Sequence, residues 1–337
     1  MNPFKIDIPV LLIFFVRPEK TKIVFEEIRK ARPSKLYLYQ DGAREGNEQD
    51  AVNVLKCREI VENIDWDCKV YKFYQEKNVG CDPSEYISQK WMFEKEEMGI
   101  ILEDDDVPSQ SFFPFCKELL ERYKDDERIY CISGMNHLGK YQEDYADYIF
   151  TTNQSIWGWA TWKRCIDRWD TSMPYLDSEY AKSRMKKLFT KMDDTISTCT
   201  WHRDSGKEYY ESIGWSYQNS NNMLCIVPTK NLISNIGIGA DGTHGADSLK
   251  ELPKAHRKVF FTETYELEFP LRHPPFLLND LEYLKKLETL QGKRTPIRAW
   301  FWAMEAAIRR FIYAPKEKKK EKLKRLPKTL KGIFFKK

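Results

Sequence analysis

Residues 99–113, GIILEDDDVPSQSFF, set four carboxylates, Glu103, Asp104, Asp105 and Asp106, directly behind the apolar run Ile100-Ile101-Leu102. Adjacent carboxylates repel one another, so a strand end that carries four of them needs a positive partner. Their oxygens are hard ligands, suited to Mg2+ or Mn2+ held jointly with substrate phosphates. A charge pair about 4 Å apart, at an effective dielectric near 20, is worth about 4 kcal/mol. A divalent ion doubles that attraction and outweighs the mutual repulsion. This chemistry is expected of Glu103, Asp104 and Asp105. Asp106 is expected in the solvated N-cap region of the following helix, whose macrodipole favours acids.

The elements that would position these acids follow from periodicity. Buried strands are expected at 8–16 (IPVLLIFFV), 35–42 (KLYLYQDG), 68–75 (CKVYKFYQ), 98–106 (MGIILEDDD) and 129–136 (IYCISGMN). Amphipathic helical stretches alternate with them at 18–32, near 48–63, at 84–96 with Ser84 as N-cap, and after Ser111. Such alternation predicts an α/β protein with a mostly parallel central sheet and helices on both faces. Ligand groups then collect at the carboxyl ends of the strands. Arg17, Gln40-Asp41-Gly42 and Glu103–Asp106 all fall there, so one cleft gathers them. The second half is less regular, with an aromatic stretch at 155–170, a helical insert near 178–196 and a glycine-rich segment, Gly237 to Gly245, expected to be a mobile loop.

The chain has 337 residues, 42% of them apolar and 14% aromatic, which excludes a disordered protein and allows a large core. The longest apolar run, Val10–Val16, is far short of the ~20 residues of a membrane span. The N-terminus shows neither a basic region nor a small-residue cleavage site, so no signal peptide is expected. Eight cysteines without a CxxC pair fit free thiols in a reducing, cytoplasmic compartment.

Charge is unevenly spread. From Lys316 to Lys337 eleven Lys/Arg stand against two Glu, a local +9, and the overall +4 leaves the first 315 residues at −5. Just before this tail, Ile297, Trp300, Phe301, Met304, Ile308, Phe311 and Ile312 recur at helical spacing. An apolar face followed by a basic run fits an interfacial helix on anionic lipid, through 297–337. The alternative is a face packed on the body with a solvated extension behind it. Nucleic acid is not an expected partner, because the body is acidic and shows no recognition module. HPPF (273–276) suggests a catalytic domain over 1–275 and a helical, basic tail over 276–337.

Taken in order from Ile8 to Gly245, PVLLIFFVRPEK, YQDG, ILEDD, SIWGWATW and LISNIGIGADGTHG resemble glycosyltransferases of the GT-A fold, in particular the N-acetylglucosaminyltransferase I-like group and its bacterial nucleotide-diphospho-sugar transferase relatives. The resemblance implies a Rossmann-like sheet and a metal-dependent, inverting transfer from a nucleoside-diphosphate sugar, a UDP-sugar, to a glycan or glycolipid. Surface polysaccharide or lipopolysaccharide assembly at the inner face of the cytoplasmic membrane is the setting it suggests. It implies that Arg17 and Asp41 contact the base, Asp104 the ribose or uridine, Glu103 the donor sugar region, and Asp105 the Mn2+ or Mg2+. Gly239 belongs to the loop over the diphosphate, with His244 near phosphate or metal, and Trp157 floors the acceptor side.

The chain departs from the pattern at the base. Related sequences carry an aspartate in the stretch WSYQ where this one has Ser216, and a serine cannot deprotonate a hydroxyl unaided. Glu211 is the nearest carboxylate for that role, with Asp204 behind it, although Glu211 equally fits a surface helix. Trp162 is expected in the core. His137, His202, His256 and His273 are given no role, and Asn231 and Asn235 are expected to fix a turn. Two alternatives remain open: a nucleotidyltransferase of related fold, which normally shows a glycine-rich phosphate loop that VRPEKTK lacks, and a catalytically weak, membrane-docked sugar-nucleotide or glycan-binding protein.

Overall fold

The computed structural model describes residues 1–142, 144–153, 155–188, 192–239, 248–290 and 295–313. The strands are β1 (Val10–Phe14), β2 (Lys35–Gln40), β3 (Lys69–Tyr74), β4 (Met98–Glu103), β5 (Asp106–Pro108), β6 (Ile129–Ser133), β7 (Tyr148–Thr151), β8 (Trp159–Trp162), β9 (Leu224–Pro228) and β10 (Ile233–Asn235). The helices are α1 (Pro18–Ala31), α2 (Glu48–Glu62), α3 (Cys81–Phe93), α4 (Phe112–Arg122), the single turn α5 (Lys163–Ile166), α6 (Glu179–Leu188), α7 (Met192–Asp204), α8 (Tyr210–Ser220), the single turn α9 (Lys254–Arg257), α10 (Leu281–Leu290) and α11 (Pro296–Tyr313).

Eight strands form one sheet in the order β3-β2-β1-β4-β8-β6-β9-β7, with only β8 and β7 running against the rest. The protein is thus α/β, with a mostly parallel sheet flanked by helices. Continuous apolar runs make the central strands because both faces are covered, and all five residues of β1 are buried. The edge strand β3 is only half covered, and Lys69 and Lys72 on it discourage pairing with another chain. Successive strands leave β1 on one side, toward β2 and β3, and the chain then returns to lay β4 on the other. The crevice at the carboxyl ends of β1 and β4 is therefore the switch point where such sheets collect ligands.

Three sequence expectations change. The helix expected from a Ser84 cap starts at Cys81; Pro83 is tolerated in its first turn, and Ser84 is buried inside it. The helical insert divides into α6 and α7. The strand expected to run to residue 106 stops at Glu103, and the chain turns through Asp104-Asp105 into β5, which pairs antiparallel with β10, Asp106 opposite Asn235.

Asp106 is consequently not solvated. Its side chain is fully buried and accepts hydrogen bonds from the Gly158 amide (2.8 Å) and the Asn235 side chain (3.0 Å), tying β5 to β10 and to the turn before β8. A buried acceptor with three built-in donors, the Glu103 amide being the third, outweighs a solvated place near a helix end. All eight cysteines are free, six of them buried. Beyond residue 275, Tyr283 and Leu287 of α10 pack on Tyr141 and Val227, and the amide of Lys254 donates to Glu305 of α11. No helix among the described residues is long and apolar enough to cross a membrane.

Asp106→Ala should lower the free energy of urea unfolding by about 3 kcal/mol, because it removes the acceptor of the Gly158 and Glu103 amides and one of the two acceptors of Asn235. Asp106→Asn, which keeps a carbonyl oxygen for Gly158, should cost less than half as much.

Candidate functional site

Arg17 follows β1 at the N-cap position of α1, and Ile13 of β1 lies opposite Glu103 of β4, so the strand ends themselves bring the arginine to the acids. Its guanidinium pairs with both oxygens of Asp104 and, at 2.6 Å, with Asp105 Oδ2. Burial works against the charge on Arg17, but Asp104, Asp105 and Glu103 together hold it above its ordinary value. Asp104 also accepts from the Phe15 amide at 3.3 Å and is almost fully enclosed. The partner that makes this acidic strand end tolerable is therefore built into the chain.

Asp105 is fastened on its other side. Asn235 Nδ2 donates to Asp105 Oδ1 and to Asp106 Oδ1, both at 3.0 Å, while Asn235 Oδ1 accepts from the Gly237 amide. A Cβ at Gly237 would lie 2.3 Å from Asp105 Oδ2, so only glycine lets this backbone run against the carboxylate. Lys20 Nζ holds the same segment through the Gly237 carbonyl at 2.9 Å. Asn235 thus fixes a turn, as expected, and also faces the site.

Two cavities open here. One, of about 400 Å3, is lined by Arg17, Glu103 and Asp105 together with Asp82, Glu85, Glu211 and Asn235. The other, of about 500 Å3, lies against α7 and α8. Ile156, Trp157 and Glu211 line both, so the two meet at these residues. Trp157 packs against Phe260 and His137, at centroid separations of 5.3 and 5.9 Å. Trp159 and Trp162 are buried, and Trp162 donates its Nε1–H to the Leu120 carbonyl.

Glu85 is the main residue that sequence reasoning missed. It sits on α3, is 4% exposed, and accepts from Gln89 one turn on. Burial, with Asp106, Asp105 and Glu211 near it, raises its carboxyl well above the ordinary range. Glu103 is raised likewise, by burial first and then by Glu85, Asp106 and Asp105, against the opposing pull of Arg17. The available signal was a carboxylate at helical spacing with Ser88, Gln89 and Met92, on the face of α3 that turns inward. His137 and His256, given no role from sequence, line the larger and the smaller cavity respectively.

Other expected residues stand elsewhere. Asp41 accepts from the amides of Gly42, Val79 and Gly80 and from Asn78 Nδ2, all within 3.0 Å, and so clasps the loop 75–80 to the end of β2. It does not line the cavity, and neither does Asp104. Ser216 is buried in α8 about 140° around the helix from Glu211 and lines neither cavity. Asp204 pairs with Arg203 at the surface. Asn231 binds the carbonyls of Ile233 and Glu263, a structural role. Gly239 is described at the end of the Asn235–Gly237 segment, whereas His244 lies outside the described residues.

No three His, Cys, Asp or Glu side chains form a metal-holding cage among the described residues. The acid-lined cavity does present hard oxygen donors, Asp105 and Glu103, which suit an ion held by one or two carboxylates and completed by phosphate oxygens. Such an ion would compete with the Arg17 guanidinium for Asp105 Oδ2.

A scan of the sequence against protein-family models finds no match, and a search of curated protein sequences finds none either. Solved structures do match. An apo UDP-glucose pyrophosphorylase aligns with a TM-score of 0.34 and 9% identity over 68% of this chain and 93% of that one. The glycosyltransferase GlyE of Streptococcus pneumoniae TIGR4 aligns with a TM-score of 0.29 and 9% identity, over 67% and 55%.

The raised Glu85 carboxyl has a signed consequence. A carboxyl that stays protonated in the folded state while the unfolded chain ionises adds stability below the ordinary glutamate value of 4.5, which is lost as pH rises through the raised value. Glu85→Gln should therefore raise the melting temperature at pH 8, by about 2 °C for each kcal/mol recovered, and leave it nearly unchanged at pH 4.

Proposed function

We propose that this protein is a glycosyltransferase that moves a sugar from a nucleoside diphosphate, a UDP-sugar, to a saccharide acceptor. The observation that carries the proposal is the meeting of two cavities at Glu211 and Trp157, one at the sheet switch point and walled by acids and Arg17, the other polar and aromatic. The donor occupies the first and the acceptor the second. The acceptor hydroxyl oxygen bonds to the anomeric carbon as the carbon–oxygen bond to the diphosphate breaks, and the hydroxyl proton passes to Glu211. Attack from the acceptor side, opposite the leaving group, inverts the anomeric centre.

The surrounding residues meet the demands of that step. Arg17 supplies positive charge where the diphosphate leaves, once it exchanges one carboxylate for a phosphate. Gly237 lets backbone approach Asp105 and anything bound there. Trp157 covers the junction and keeps water from the donor, which protects it from hydrolysis. A divalent ion held through Asp105, with Glu103 beside it, would take up charge on the departing diphosphate.

The setting we propose is an anionic membrane surface where glycans or glycolipids of the polysaccharide or lipopolysaccharide kind are assembled. Ile297, Phe301, Ile308 and Ile312 are exposed along α11, which leads into the basic 316–337 segment. Exposed aliphatic and aromatic side chains next to a positive segment favour the acyl boundary of acidic lipid.

Titration calorimetry with UDP should show binding that strengthens with Mn2+; no binding in either condition would remove the proposal. Glu211→Gln should lower sugar transfer by about 10²–10⁴-fold while UDP affinity stays within about twofold, since the base acts on the acceptor. In sedimentation with vesicles, the chain should pellet with phosphatidylserine-containing membranes and stay in solution with pure phosphatidylcholine, and a Phe301→Asp/Ile308→Asp double variant should lose most of that binding.

A further inference from the structure

Arg17 and Asp105 occupy each other. The guanidinium divides its nitrogens between two acids: Nε and Nη2 bond to the two oxygens of Asp104, and Nη1 reaches Asp105 Oδ2 at 2.6 Å. Asp104 also accepts from the Phe15 amide and does not line the acid-walled cavity, so it anchors the guanidinium beneath that cavity's wall. The Nη1 contact instead joins two residues that do line it. On Asp105, Oδ1 accepts from Asn235 Nδ2 at 3.0 Å, and the Gly237 backbone crowds Oδ2. A cation arriving at Oδ2 would share one oxygen with a guanidinium, and the two positive charges repel. A phosphate arriving at Arg17 would lie beside two carboxylates and is repelled in the same way. Each ligand is therefore opposed by the group that would attract the other.

We propose that the Arg17–Asp105 pair is a latch that couples the binding of a divalent cation to the binding of a diphosphate. The inference rests on the transferase reading and deepens it by naming how the donor site is regulated. Arg17 releases Asp105 Oδ2 to a cation as Nη1 turns to a phosphoryl oxygen. The pair is broken once, whichever ligand comes first, so the second binds without that cost. By linkage the effect is reciprocal, and each ligand tightens the other by the same factor. The movement is confined to Nη1, because two charge-assisted bonds keep Nε and Nη2 on Asp104. Only a planar fork of nitrogens can hold one acid while trading the other; an ammonium, a single point charge, cannot.

The test measures binding to the full chain and needs no acceptor. Mn2+ is followed by electron paramagnetic resonance, alone and with saturating UDP or uridine. In the wild type, UDP should tighten Mn2+ binding by about tenfold or more, and uridine, which lacks phosphate, by less than about twofold. Arg17→Lys keeps the net charge and leaves a cation for Asp104, but it cannot serve both acids. Without nucleotide it should bind Mn2+ about tenfold more tightly than the wild type, and the UDP effect should shrink by about fivefold. Arg17→Met should tighten Mn2+ binding at least as much. Mn2+ affinity within about twofold of wild type in Arg17→Lys, or a UDP effect undiminished in it, would overturn the latch. Tightening in Arg17→Met alone is an effect of net charge and would overturn it equally. Absence of UDP–Mn2+ coupling in the wild type would do so whether or not the variants fold. Should UDP bind with the same coupling in wild type and Arg17→Lys, only the latch fails. Should UDP not bind at all, with or without Mn2+, the transferase reading fails and the latch with it.

Discussion

The Arg17 guanidinium, clasped by Asp104 and Asp105, is the contact on which the crevice depends. Glu103 through Asp106 follow one another at the end of an almost wholly apolar strand, and desolvation penalises the charge on Glu103, Asp104 and Asp106. One half-buried cation, Arg17, relieves the two acids in the turn. Asn235 and backbone amides serve Asp105 and Asp106, and raised carboxyls on Glu103 and Glu85 reduce the remaining charge.

Close backbone approach is the second constraint. Gly237 lies against Asp105, and Gly42 admits the backbone of Lys77, where a Cβ would stand 2.5 Å from its carbonyl carbon. The two glycines let loops from distant parts of the chain come down on strand ends. One loop is then locked by Asp41 and the other by Asn235 and Lys20. Polar side chains that look like ligands in the sequence here do the work of holding loops in place, and that work sets the shape of the cavity.

Catalytic and structural carboxylates are chemically alike, and only their surroundings distinguish them. Asp41 accepts from four donors of its own chain, and these hold a loop to the end of β2. Glu211 stands on the first turn of α8 at the junction of two cavities. Ser216, five residues later, points into the packing beneath the same helix, because a helix turns about 100° per residue. A carboxylate at position 211 therefore does not reach the place a side chain at 216 would occupy.

The sequence by itself determined the alternation of apolar strands and amphipathic helices, and with it a sheet that places Arg17 and Glu103–Asp105 at neighbouring strand ends. It could do so because burial on both faces of a parallel sheet imposes continuous apolar runs, and a run's end marks where polar groups emerge. Tertiary structure decided what periodicity does not encode, namely which distant segments touch. Glu85 reaches the acids only because α3 packs its polar-bearing face toward the sheet, and Asp106 is buried only because β10, more than a hundred residues later, covers it. Charge state and accessibility depend on those long-range contacts, so the roles of the acids were settled by packing and not by their order along the chain.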